Sequence, residues 1–127
     1  MEEREKSKPL HYRELVVWQK AMDLAQAIYQ LVHQLPREET YGMRSQITRA
    51  VVSIPANIAE GWARESRNEK AQFLAIAQGS LAEMEALLTL CERIGWFQSH
   101  ETTVARGLTD EISRMLTTLR RNLRSQR

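Results

Sequence analysis

The chain has 127 residues and a mass of 14.7 kDa, which is the length of a single domain that can bury a hydrophobic core. Hydrophobic residues make up 43% of it, and with only 5 Gly and 3 Pro the composition excludes a fold of many short strands. The formal net charge of +2 is below the strong excess typical of a dedicated nucleic-acid-binding domain, and no apolar run approaches the roughly 18 residues that a membrane span needs.

The N-terminal segment is charged and lacks the apolar stretch of a secretory signal, and a single cysteine favours a reducing compartment. We therefore expect a cytoplasmic protein. The sequence predicts a disordered tail over residues 1–11, a helical domain over residues 12–124 and a short basic end over residues 125–127.

The first predicted helix covers about residues 14–35, where polar residues recur every three or four positions among apolar ones. Pro36 ends it, because the residue before a proline avoids the helical conformation. The second predicted helix covers about residues 41–63. Pro55 in its middle removes a backbone donor and clashes with the carbonyl of Val51, so we expect a kink. The pattern equally fits two shorter helices, with Ser53 capping the second one.

The third predicted helix covers residues 67–94. Ser66 is its expected N-cap with Glu69 as the capping-box partner, and Gly95 is its expected end. We expect Gly79, in the middle of this helix, to mark a close contact with another helix. One apolar row consists of Leu74, Ala77, Leu81, Met84, Leu88 and Cys91, and a second row consists of Phe73, Ile76, Ser80, Leu87, Leu90 and Ile94.

The fourth predicted helix begins at Ser99 or a few residues later and ends near Leu123. Its apolar stripe consists of Val104, Leu108, Ile112, Met115, Leu116, Leu119 and Leu123. Connections of about 3–6 residues favour antiparallel packing of consecutive helices. The sequence therefore predicts an all-α fold, an antiparallel up-down-up-down four-helix bundle.

The apolar faces of the first and third helices are wider than the roughly 100° that one bundle interface needs. A monomer would therefore expose large residues such as Trp18, Met22 and Phe73, and contiguous apolar patches of this kind mark partner surfaces. We predict self-association through these three residues. A central helix that buries both rows within a monomer is the alternative. Three aromatic residues at helix ends could be rim anchors or could cap the core: Trp62, Trp96 and Phe97.

The chemistry of an enzyme is not recognisable in the sequence. It contains no Glu-x-x-His pair of a di-iron bundle and no glycine-rich phosphate loop, and Cys91 lies on an apolar row, as a buried packing residue does. We predict no catalytic residues, no metal and no cofactor.

Arginines are the one functional signal in the sequence. Their planar guanidinium groups can pair with two phosphate oxygens, although they can also complement helix dipoles and keep a protein soluble. From Ile112 to Arg127 there is no acidic residue. The predicted nucleic-acid-binding residues are Arg44, Arg49, Arg64, Arg67, Arg120, Arg121 and Arg124.

Three segments resemble a known family: YRELVVWQKAMDLAQAIYQL, YGMRSQITRAVVSIPANIAEGWAR and FLAIAQGSLAEMEALL. They are similar to the bacterial four-helix bundle family named for the 23S rRNA intervening-sequence protein, over about residues 12–97. The most specific part is the block that contains Ser53, Pro55, Asn57, Glu60 and Gly61. We expect this block to be structural, with Asn57 and Glu60 reaching backbone groups freed by the kink, or a neighbouring subunit, and Gly61 allowing a close approach.

The resemblance implies antiparallel bundles that assemble into ring-shaped homopentamers. A related branch of the family comprises accessory proteins of diversity-generating retroelements, which bind a reverse transcriptase and nucleic acid through a basic surface. We therefore expect a pentameric adaptor that binds RNA or DNA, or a nucleic-acid-handling protein such as a reverse transcriptase, through a basic rim. The alternative is a scaffold that binds only proteins.

Overall fold

The computed structural model describes residues 11–125, and over this range every regular element is helical. The four long helices are α1 (Val16–Leu31), α2 (Met43–Trp62), α3 (Arg67–Ile94) and α4 (Thr103–Ser125). The predictions for residues 1–10 and 126–127, which form most of the expected tail and basic end, lie outside the described residues. His11 accepts a hydrogen bond from the backbone N–H of Arg13 and so caps a short 3-10 turn ahead of α1.

The helices form an antiparallel up-down-up-down four-helix bundle, as predicted. Each helix packs against the helix before and after it, and α4 packs against α1 to close the bundle. The most extensive contact joins α2 to α3. The beginning of α3 and the end of α4 consequently lie at one end of the bundle, together with the end of α2.

Periodic apolar residues make the core. In α3 the buried residues are the six of the first predicted row, which is therefore the inward row: Leu74, Ala77, Leu81, Met84, Leu88 and Cys91. In α2, Pro55 is buried and the helix runs through it without interruption, so the alternative of two shorter helices is wrong. Phe97 is buried and both Trp62 and Trp96 pack against the core, so these aromatic residues cap the bundle.

The boundaries of α3 match the prediction because both of its ends carry specific capping residues. The hydroxyl of Ser66 accepts a hydrogen bond from the backbone N–H of Glu69, which is one half of the predicted capping box. Gly95 has a φ of 95°, the left-handed conformation that glycine adopts at helix ends at little steric cost.

The connections before α2 and after α3 differ from the prediction. Residues 32–42 and 95–102 are longer than the expected 3–6 residues, because both connections contain 3-10 turns. The first of these turns replaces the last part of the first predicted helix, whereas α4 begins a few residues after Ser99, as predicted. Two side-chain predictions in α3 and α4 are also wrong. Val104 is 69% exposed and lies outside the core, and a Cβ added to Gly79 would meet no atom within 4 Å.

By length and composition alone, α3 is apolar enough to cross a membrane, and 28% of its most apolar window is buried within the bundle. The helix nevertheless contains no unbroken apolar run of about 18 residues, since Gln78, Glu83 and Glu85 interrupt it. The inward row accounts for part of this apolar character, since a core helix of a soluble bundle passes the same test. The second row contributes the rest.

Candidate nucleic-acid interface

Antiparallel packing gathers five of the seven predicted arginines at one end of the bundle. Arg64 and Arg67 flank the turn between α2 and α3, and the side chains of Arg120 and Arg124 line a groove together with residues of the first turns of α3. Arg121 adjoins them on α4. We call this group the basic end: Arg64, Arg67, Arg120, Arg121 and Arg124.

The other two predicted arginines do not join this group. Arg44 is the second residue of α2, at the opposite end of the helix from Arg64, and Arg49 lies between them and is exposed. A helix rises about 1.5 Å per residue, so the 20 residues between Arg44 and Arg64 correspond to about 30 Å. A single compact ligand cannot contact the complete predicted set.

The arginines of the basic end differ in how firmly the bundle holds them. Arg64 pairs with Glu60 at 3.2 Å, and its guanidinium carbon lies 4.8 Å from the centre of the Phe73 ring. Arg120 donates from Nη1 to the Gln78 side chain at 2.7 Å. Arg121 and Arg124 are exposed to solvent. The end thus combines fixed guanidinium groups with exposed ones.

Lys70 lies close to the basic end but has a structural role. Its ammonium group donates to the backbone carbonyl of Trp62 at 2.7 Å and lies 4.7 Å from the centre of the Trp62 ring. Burial lowers the pKa of Lys70. This lysine therefore closes the last turn of α2, which leaves phosphate contact to the arginines.

The block around Pro55 joins α2 to α3. The hydroxyl groups of Ser53 and Ser80 are 2.8 Å apart, and the Asn57 amide donates to the Ser53 carbonyl at 2.8 Å and to the Ser53 hydroxyl at 2.9 Å. Asn57 thus reaches the backbone of Ser53, which is not the Val51 carbonyl that Pro55 leaves without its donor. Glu60 instead pairs with Arg64 through its carboxylate, which differs from the expected contact with freed backbone.

Gly61 lies at a close approach of α2 to α3. A Cβ at this position would be 2.5 Å from the Cβ of Phe73 and 3.4 Å from the Lys70 carbonyl oxygen. Phe73, predicted as an interface residue, is consequently half-buried between Gly61 and Arg64.

The other two predicted interface residues differ in exposure. Trp18 is half-buried, packs against the core and makes an edge-to-face contact with Tyr12, with ring centres 5.2 Å apart. Met22 is 45% exposed. The second row of α3 provides further exposed apolar surface, since Ile76, Leu90 and Ile94 are about half exposed.

Sequence reasoning missed a polar network at the opposite end of the bundle. Glu92 of α3 accepts hydrogen bonds from Arg106 of α4 and from the buried Thr102 hydroxyl, and Arg106 also donates to Thr89 at 3.0 Å. The hydrogen bond from Arg106, and then that from Thr102, hold the pKa of Glu92 below its ordinary value against the opposing effect of burial. The sequence offers no signal for this pairing, since 14 residues and a turn separate its two charges.

Two features of residues 11–125 bear on nucleophilic and metal chemistry. Burial, and then the charges of Glu39 and Glu92, raise the pKa of the Cys91 thiol to about 11, so the thiolate that a nucleophile requires is scarce at neutral pH. Among the described residues no group of three His, Cys, Asp or Glu side chains is placed to hold a metal ion.

Residues 13–118 match the family model of the 23S rRNA-intervening sequence protein. The chain belongs to this family. A crystal structure of a protein of unknown function from the S23 ribosomal protein family of Bacteroides thetaiotaomicron is similar to it. The two chains are 30% identical with a TM-score of 0.75, and the match covers 82% of this chain and 97% of the other. None of the curated proteins matches the chain. Sequence and fold thus both relate this chain to the intervening-sequence family.

Proposed function

We propose that this protein is a non-enzymatic, cytoplasmic, homo-oligomeric adaptor that binds nucleic acid through the basic end. The observation that carries the proposal is the gathering of arginines at one end of the bundle, beside a stretch of α4 that lacks acidic residues. A pentameric ring and a nucleic-acid-handling partner, such as a reverse transcriptase, are what the resemblance to retroelement accessory proteins adds.

Helix dipoles explain only part of this arrangement. Cations near the last turn of a helix are favourable, which accounts for Arg64 and Arg124. Arg67, however, is the first residue of α3, at the positive end of that helix dipole, where a cation is unfavourable. The helix dipole of α3 therefore does not account for Arg67.

Exposed apolar residues support the oligomeric part of the proposal. Ile76 and Ile94 lie five helical turns apart on one face of α3, with Leu90 between them, and each of the three is about half exposed. On α1, Met22 and Tyr29 lie two turns apart and are also about half exposed. Two apolar stripes on different faces suit a ring, in which each subunit contacts two neighbours through different surfaces.

We expect the double substitution of Ile76 and Leu90 by glutamate to reduce the assembly to monomers, because it places two charges in the proposed contact. Sedimentation velocity over a concentration series measures the assembly. Val104→Glu is the matched control, since Val104 is even more exposed but lies away from the α3 stripe. A wild-type protein that sediments as a monomer at every concentration contradicts the oligomeric part of the proposal.

Salt dependence tests the nucleic-acid part. Binding of a structured RNA, followed by fluorescence anisotropy, should weaken steeply between about 50 and 200 mM salt, since each phosphate contact adds about 0.9 to the slope of log K against log salt concentration. The triple variant R120A/R121A/R124A should lose about two to three units of that slope.

A variant that removes the same number of arginines from the other half of the bundle is the control: R37A/R44A/R49A. We expect it to bind RNA almost as wild type does. Equal losses in the two triple variants would contradict binding at the basic end, and absent or salt-independent binding would favour the scaffold that binds only proteins.

A further inference from the structure

A groove of about 470 Å³ lies between the first turns of α3 and the last turns of α4. Its lining combines two guanidinium groups, two amides and two methyl groups, and includes no acidic residue: Asn68, Ala71, Gln72, Ala75, Arg120 and Arg124. The volume falls in the range of small-molecule sites. The small side chains of Ala71 and Ala75 leave space between the longer polar ones, so the groove can admit a group as large as a phosphate.

Gln78 fixes the orientation of Arg120 at this groove. The Gln78 amide donates to the Thr117 hydroxyl at 2.9 Å, and its carbonyl oxygen accepts from Arg120 Nη1 at 2.7 Å. The same amide donates to the Ser113 carbonyl at 3.4 Å, so one side chain is hydrogen-bonded to three residues of α4. Because Gln78 accepts at Nη1, the opposite edge of the guanidinium, formed by Nε and Nη2, is left for another acceptor.

One donor on that edge has an unusual environment. Arg120 Nε is buried and is the one buried side-chain N or O atom without a hydrogen-bond partner within residues 11–125. Buried donors in folded proteins almost always have acceptors. The Nε and Nη2 donors together match the spacing of two oxygens of one oxyanion, which binds a guanidinium in two parallel hydrogen bonds.

We propose that this groove binds a phosphate group, with two of its oxygens on the Nε–Nη2 edge of Arg120 and a third near Arg124. Phosphate suits the site because it presents oxygens to both arginines, and the Asn68 and Gln72 amides lie where they can hydrogen-bond the rest of the ligand. Because Nε is buried, an oxygen can bind there only if the Arg120 side chain or its neighbours move. This site rests on the proposed function and refines it, since it makes the groove the specific phosphate contact within the basic end.

Ala75→Leu tests the groove because it fills the space without changing any charge. The control is Ala82→Leu, two turns farther along the same face of α3 at an exposed position. We expect the Ala75 variant to weaken RNA binding about tenfold and the Ala82 variant to leave it unchanged. Circular dichroism checks that both variants fold. Arg120→Lys is a second test, because lysine keeps the charge but lacks the two-donor edge.

Titration with inorganic phosphate distinguishes the sources of the phosphate group. In NMR spectra, phosphate but not chloride should shift the side-chain amide signals of Asn68 and Gln72 in wild type and not in the Ala75 variant. If the groove takes a polynucleotide phosphate, the Ala75 variant also loses RNA affinity. If it takes free phosphate or a nucleotide, the shifts occur while RNA affinity is unchanged.

The proposal is overturned if phosphate shifts neither amide and the Ala75 and Arg120→Lys variants bind RNA as wild type does. In that case a loss of RNA binding in R120A/R121A/R124A would still support the basic end. The phosphate site in the groove and nucleic-acid binding at the basic end are therefore tested by different measurements.

Discussion

Replacing Gly61 with alanine should lower the free energy of unfolding by roughly 1–3 kcal/mol, the usual cost of an overpacked contact. The new Cβ would lie 2.5 Å from the Cβ of Phe73, a separation that real Cβ atoms essentially never show. A Cβ close to its own backbone cannot rotate away, so α2 and α3 must move apart. This movement would also stretch the hydrogen bond between Ser53 and Ser80, which joins the same two helices.

Gly79→Ala is the matched control, since it makes the same chemical change within a helix. A Cβ at Gly79 meets no atom within 4 Å, so the gain in helix propensity should stabilise the protein by roughly 0.5–1 kcal/mol. Urea unfolding followed by circular dichroism should show that the two substitutions change the free energy of unfolding in opposite directions. Equal effects of the two substitutions would show that α2 and α3 are not constrained at Gly61.

Replacing Glu92 with glutamine should destabilise the bundle at pH 7 by about 1.5–3 kcal/mol, the value of a hydrogen bond to a charged group. Glu92 accepts from both Arg106 and Thr102, and Thr102 is fully buried, so the variant loses the charge that holds α3 against the beginning of α4. Glu83→Gln, at an exposed position of the same helix, should change stability little.

The effect of Glu92→Gln should depend on pH. Since the folded protein holds the pKa of Glu92 below its ordinary value of 4.5, the carboxylate stabilises the fold fully above that value. Its contribution is lost as the pH falls through the lowered pKa, because the group is then protonated in both folded and unfolded states. Urea unfolding of wild type and variant at pH 7 and pH 3 should therefore show a smaller difference at the lower pH. A constant difference would mean that the charge of Glu92 does not contribute.

The four helices and the buried row of α3 could be predicted from the sequence, because they depend on residues close together in the chain. The spacing of the row from Leu74 to Cys91 and the caps at Ser66 and Gly95 depend only on neighbouring residues. The first helix ends earlier than the sequence predicts, because residues 32–34 continue its polar and apolar pattern in a 3-10 turn before Pro36. Periodicity cannot distinguish one such turn from the last turn of an α-helix.

The candidate site was only partly predictable. Residue type identified the arginines, but only packing separates Arg44 from Arg120, and the role of Gln78 depends on a hydrogen bond across 42 residues. The expectation that Gly79 makes a close contact failed because a glycine within a helix does not reveal its surroundings. Gly61, near the end of its helix, is the glycine that makes this contact.

The basic end lies at one end of the long axis of the bundle, and this position determines where its copies would lie in an oligomer. Rotation about a cyclic axis keeps every equivalent group at the same height, so a ring of identical subunits would present all its copies of Arg121 and Arg124 on one side. A polynucleotide crossing that side could engage several subunits at once, and each further contact would form at a high effective concentration. Weak attachment by single subunits would then suffice for tight retention of long strands, whereas oligonucleotides too short to bridge two neighbours would dissociate readily.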